Sequence, residues 1–113
     1  MRYTPFSETK KFENSTTCTV YEYGGNKILD GAAAEINGRY PETGWVTNTI
    51  STEIIYVVEG KEILTTRERR IELTQAAVVL VERGEQYYFE GENLRIFMAT
   101  TPPWSPDQYV VEQ

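Results

Sequence analysis

The side chains able to do chemistry in this 113-residue chain are seventeen carboxylates, eight tyrosines and one cysteine, with no histidine. Without histidine there is no Ser-His-Asp or Cys-His nucleophile and no histidine-ligated metal centre. The single cysteine, Cys18, excludes an intrachain disulfide and a multi-cysteine zinc site. It stands in a β-branched, aromatic run, where a small buried hydrophobe is expected. Besides the amines of four lysines, what remains is oxygen chemistry from carboxylates, phenols and hydroxyls. Tyr87 and Tyr88 are adjacent, so on a strand only one faces a pocket, and Tyr88 is expected at a surface or interface. Arg39, in the turn Asn37–Pro41, is either placed to hold an acidic substrate group or is an exposed turn residue. Trp45 and Trp104 line a pocket mouth or an interface, or pack in the core. Arg67, Arg69 and Arg70 are too few, on a chain of net charge −6, to make a nucleic-acid surface.

The elements that must position these residues are strands. Residues 17–23 (TCTVYEY) end at Gly24-Gly25, residues 28–36 end at Asn37-Gly38, and residues 45–50 form a third run. Residues 53–58 and 62–66 are expected to pair as a hairpin across Glu59-Gly60-Lys61, with a second, charged hairpin tip at residues 67–70. Further runs are 71–73, 76–81, 86–89 and 94–99, after which Pro102, Pro103 and Pro106 end regular pairing. Residues 8–14 are the one stretch with some helical character. Eight or nine short strands with glycine punctuation imply an all-β sandwich or barrel, one domain over residues 1–113. An apolar fraction of 40% is too high for a disordered chain, and no apolar run approaches the ~20 residues of a membrane helix. The amino terminus shows no hydrophobic signal stretch, which points to the cytoplasm. The run Ala76–Val81 (AAVVLV) is apolar on both faces, so its outer face needs cover, and a second copy of the chain is the expected partner.

The segment Glu53-Ile-Ile-Tyr-Val-Val-Glu-Gly60 resembles the end of the first conserved motif of the cupin family, a glutamate and then a glycine after six residues. Gly84 matches the internal glycine of the second motif, and Pro102–Pro106 looks like the tail that follows the last barrel strand in small bacterial cupins. Asn37–Pro41 is similar to a segment of uncharacterised members. The resemblance covers about residues 17–106 and implies a cupin jelly-roll barrel, often dimeric, with a site inside. The family's motif-one histidines fall at Thr47 and Thr49 if three residues precede the glutamate, or at Val46 and Asn48 if four do. The motif-two histidine falls at Tyr87. Pro41, Ala76, Glu82 and Gly91 replace other motif residues, and of the usual three-histidine, one-glutamate set only Glu53 remains. The metal activity of the family is therefore not carried over.

If these positions point inward as the family's ligands do, the resemblance implies a pocket holding Thr47, Asn48, Thr49, Glu53 and Tyr87, with Phe89 in its wall and Arg39 near its mouth. Such a pocket suits a small polar metabolite such as a carbohydrate, bound without metal or other cofactor. Three readings of Glu53 stay open: a buried carboxylate bonded to Tyr87 or a threonine, a general acid or base with raised pKa, or an oxygen ligand for a metal with Asn48 and Tyr87. Metal-independent sugar epimerases on this fold pair a tyrosine acid with a basic partner; here the tyrosine position is matched and the basic partner is missing, and an isomerase or epimerase using Glu53 and Tyr87 is the alternative reading. A non-catalytic structural or regulatory dimer with a filled barrel is the third alternative.

Overall fold

The computed structural model describes residues 1–113 as nine antiparallel strands curled into one sheet, with two short 3-10 turns at Phe6–Glu8 and Pro106–Gln108. The strands are β1 (Lys10–Ser15), β2 (Cys18–Gly25), β3 (Asp30–Tyr40), β4 (Trp45–Asn48), β5 (Thr52–Thr66), β6 (Arg70–Leu73), β7 (Val78–Val81), β8 (Tyr87–Thr101) and β9 (Tyr109–Glu112). Strands β1-β2-β3-β8-β4-β9 are neighbours in that order, while β5 pairs with β6, β7 and β8. The architecture is the expected all-β one. No helix is long and apolar enough to cross a membrane.

Four local expectations are corrected. Residues 53–66 are one continuous stretch of the 15-residue strand β5, not a hairpin, because β8 runs alongside from Thr52↔Thr101 to Thr66↔Tyr87 and supplies the partner that a turn at Gly60 would otherwise provide. Gly60 takes φ +92° and absorbs a register slip between Glu59 and Lys61. Gly38, at φ +118°, likewise sits at a slip within β3 instead of ending it. Residues 10–15 form a strand, since pairing with β2 from Lys10↔Glu22 to Ser15↔Cys18 outweighs weak local propensity. After the prolines the chain re-enters the sheet as β9, opposite β4 from Trp45↔Glu112 to Asn48↔Tyr109.

Period-2 alternation turns Ile55, Val57, Leu64, Leu94 and Ile96 into the sealed core, together with Val46 of β4. The outer face of β5 and β7 is also apolar but uncovered. Ile54 lies opposite Leu80 and Tyr56 opposite Val78, with Val78 55% and Leu80 56% exposed.

Candidate functional site

The curl of the sheet encloses a cavity of about 450 Å³, so the barrel is not filled by its own side chains. Nineteen residues line it and thirteen are hydrophobic. Phe12 and Asn14 reach it from β1; Cys18, Val20 and Glu22 from β2; Ala32, Ala34, Ile36 and Tyr40 from β3. Each set follows the two-residue period of its strand. On β8 the period carries Ile96, Met98 and Thr100 inward, and on β4 and β5 it carries Asn48 and Glu53.

Glu53 is 7% exposed, and its Oε2 accepts a 3.3 Å hydrogen bond from Thr100 Oγ1, its neighbour across the β5–β8 ladder. Burial pushes its carboxyl up to about 7; the Thr100 bond pulls the other way, and the Asp30 carboxylate nearby pushes further up. Asp30 is itself raised by burial, offset by the backbone N–H of Trp104, which donates to Asp30 Oδ2 at 3.1 Å. The Trp104 indole N–H donates to Asn48 Oδ1 at 3.1 Å, so one tryptophan ties β3 and β4 together beside Glu53. A second polar group is phenolic. The Tyr40 and Tyr109 hydroxyls meet at 2.7 Å, and Asn14 Nδ2 donates to Tyr40 Oη at 3.4 Å. Tyr87 packs edge-to-face on Phe89, centroids 5.2 Å apart, and burial, with Glu53 next in effect, holds its phenol far above the usual tyrosine range. Burial pushes the Cys18 thiol up to about 12, which leaves it inert as a nucleophile.

Among the residues singled out from sequence, Glu53, Tyr87, Asn48 and Phe89 come together on the cavity wall. Thr47, Thr49 and Arg39 do not. Thr47 lies between Val46 and Asn48 on the strand and so takes the opposite face, buried with its hydroxyl unpartnered. Thr49 lies past the end of β4, where its N–H and hydroxyl both donate to the Gln108 carbonyl, at 3.1 and 3.2 Å. Arg39 alternates with cavity-facing Tyr40 and is turned away. Its guanidinium donates to the carbonyls of Pro41 (2.7 Å) and Gly44 (2.9 Å) and stacks 3.9 Å over the Tyr88 ring. Trp45 belongs to that outer stack, against Tyr88 at 5.0 Å and beneath Arg67 at 4.1 Å, whereas Trp104 faces the cavity. Glu53 bonds a threonine, but it is Thr100, which sequence reading misses by ending the strand at Ala99. The alternation Leu94, Ile96, Met98 continued by one step marks it. Tyr40, Tyr109 and Asp30 escape sequence reading because long-range pairings bring them in.

The four-residue spacing is therefore the one that turns Asn48 toward the cavity with Glu53 and Tyr87, so the positions that the motif resemblance implies for metal ligands are Val46, Asn48, Glu53 and Tyr87. These donors do not fit a metal centre. Val46 offers none, the Asn48 oxygen is engaged by Trp104, the Tyr87 phenol holds its proton, and Glu53 is the lone carboxylate of the four. No cluster of three or more His, Cys, Asp or Glu side chains suited to a metal ion occurs elsewhere.

No protein-family model matches the chain, and no curated protein matches it in sequence. Solved structures do match in shape. Streptomyces Pac13 with uridine superposes with a TM-score of 0.87 at 13% identity, covering 100% of this chain and 91% of that one. Pac13 is described as a nucleoside dehydratase. KdgF from Halomonas sp. superposes at 0.76 and 11% identity, covering 94% and 98%. An RmlC-like cupin from Shewanella frigidimarina superposes at 0.74 and 17% identity, covering 95% and 96%. The likeness establishes the fold: a cupin-type β-barrel.

Proposed function

We propose that this cupin-type barrel binds a small, polar, ring-bearing metabolite, such as a carbohydrate or a nucleoside, directly on its side chains and without a metal. One observation carries the reading. A mostly apolar cavity of about 450 Å³ holds a short chain of polar groups, Asn48, Glu53 and Thr100, beside aromatic walls from Tyr87, Phe89 and Trp104. Rings pack on the walls, and hydroxyls meet the amide, carboxyl and hydroxyl. The uridine held by Pac13 supports the reading. A thermal-shift screen of sugars, nucleosides and amine-bearing ring metabolites tests it. A ligand at a hundred times its Kd adds about 2.7 kcal/mol, which moves the melting temperature by on the order of 10 °C. A melting temperature unmoved by every member at millimolar concentration would overturn the proposal.

A second reading, a metal-independent sugar isomerase or epimerase using Glu53 and Tyr87, is favoured by a Glu53 carboxyl held near 7, where it can both take and give a proton. In it Tyr87 acts only as a donor, because its phenol keeps its proton. Glu53→Gln then abolishes turnover while leaving the fold intact.

The uncovered face of Ile54, Tyr56, Val58, Val78 and Leu80 supports a homodimer in which two copies bury it. Sedimentation at micromolar concentration is expected to give twice the chain mass, and Leu80→Glu to give a monomer. A wild-type chain that sediments as a monomer rules this out.

A further inference from the structure

The cavity contains acids and no base. None of its nineteen lining residues is lysine or arginine, and the chain has no histidine. Glu53 and Glu22 line it, and Asp30 lies close enough to act on Glu53. The nearest cation by register is Lys10, opposite Glu22, and it is exposed and outside the lining. Arg39, the one arginine that sequence reading places at the mouth, is engaged elsewhere. A phosphate or carboxylate brought here would lose its hydration with no opposite charge to replace it.

Six of the lining residues are aromatic, Phe12, Tyr40, Tyr87, Phe89, Trp104 and Tyr109. Aromatic faces attract a desolvated cation, and quaternary and protonated amines are recognised in this way. Thr100 occupies one oxygen of Glu53, leaving the other free for a ligand. From this charge inventory we infer that the ligand of the cavity is an organic cation, its amine or ammonium seated against Glu53 among the aromatic rings. The inference rests on the reading of the cavity as a ligand site and adds the sign of the charge.

Thr100, Asp30 and Tyr87 act on Glu53 directly, and the other titratable groups that share the cavity are Tyr40 from β3, Cys18 and Glu22 from β2, and Tyr109 from β9. All are acidic or neutral, so a bound cation is the only charged partner that favours the carboxylate. Binding therefore releases the Glu53 proton, and affinity follows the ionised fraction of Glu53.

Three ring compounds of similar size test this: benzyltrimethylammonium, benzyl alcohol and benzoate, titrated calorimetrically at pH 6 and pH 8. The ammonium charge is fixed, so any pH dependence belongs to the protein. Benzyltrimethylammonium is expected to bind at least tenfold more tightly than benzyl alcohol at pH 8. Its affinity should fall roughly tenfold at pH 6, where Glu53 is protonated, and benzoate should not bind. In Glu53→Gln the cation and the alcohol should bind alike, with no pH dependence. Equal binding of cation and alcohol to the wild type at pH 8 overturns the charge inference and leaves the ligand site standing. Cation binding that keeps its wild-type affinity in Glu53→Gln also overturns it, because the ammonium is then not seated against Glu53. Binding of none of the three overturns the inference and the ligand-site reading together.

Discussion

Glu62→Met is expected to stabilise the protein, by more as the pH rises. Glu62 is 2% exposed on the inner face of β5, opposite Leu73 and Gly91, and neither carboxylate oxygen has a hydrogen-bond partner. The charges around the adjoining groove, Arg39, Lys61, Glu72, Glu90 and Glu92, do not reach it. Burial alone pushes its carboxyl up to about 8 from an ordinary 4.5. Above pH 4.5 the unfolded chain releases this proton while the folded chain keeps it, so stability falls with rising pH through the window 4.5 to 8 and levels off beyond. At about 1.4 kcal/mol per pKa unit the full loss is about 5 kcal/mol, comparable with the whole stability of many small domains. Methionine has similar length, needs no partner and does not titrate. Urea unfolding at half-unit steps from pH 5 to pH 9 should show the wild-type midpoint falling, and the Glu62→Met variant losing most of that slope. A residual slope up to about pH 7 belongs to Glu53, whose raised carboxyl acts with the same sign. Parallel wild-type and variant curves would show that Glu62 is not the source.

Gly60→Ala is expected to cost at least ~3 kcal/mol, against about 1 kcal/mol for Gly84→Ala. Both glycines have positive φ, +92° and +85°, so each substitution carries the left-handed penalty of roughly 1–2 kcal/mol. They differ in surroundings. A Cβ on Gly84 meets nothing, whereas one on Gly60 overlaps the Asn93 carbonyl oxygen and lies 2.7 Å from the Leu94 Cα. These are backbone atoms of β8 and cannot swing aside, so relief requires separating β5 from β8 at the slip that lets both strands run their full length. Urea midpoints for the two variants measure the difference. Equal losses would mean that the strands part there at little cost.

The same glycine shows where sequence reading stops. Positive φ serves a hairpin turn and a bulge equally, and only β8, more than twenty residues away, decides between them. Alternation along Glu53, Ile55 and Val57 and along Tyr87 and Phe89 is legible because both runs are regular and half-buried. The position of Asn48 is not, because the motif admits three or four residues before Glu53. The choice is made by Gln108, which is 1% exposed. Its side-chain oxygen accepts the N–H groups of Ile50 and Ser51 at 3.2 and 2.7 Å, and its amide donates to Ser51 Oγ at 2.8 Å. The contact with Ser51 spans 57 residues and leaves no local signature. Residues 10–15 are hard to read for a related reason: an exposed edge strand has little pattern of its own and takes its form from β2.

The wall that carries Asn48 is completed by the last strand of the sheet. β4 touches β8 at the single pair Val46↔Tyr87 and is otherwise held by β9, from Trp45↔Glu112 to Asn48↔Tyr109. The long β5–β8 ladder sets the spine, but the wall beside Asn48 is complete only with β9 docked, so the shape of the cavity depends on the residues that follow the prolines.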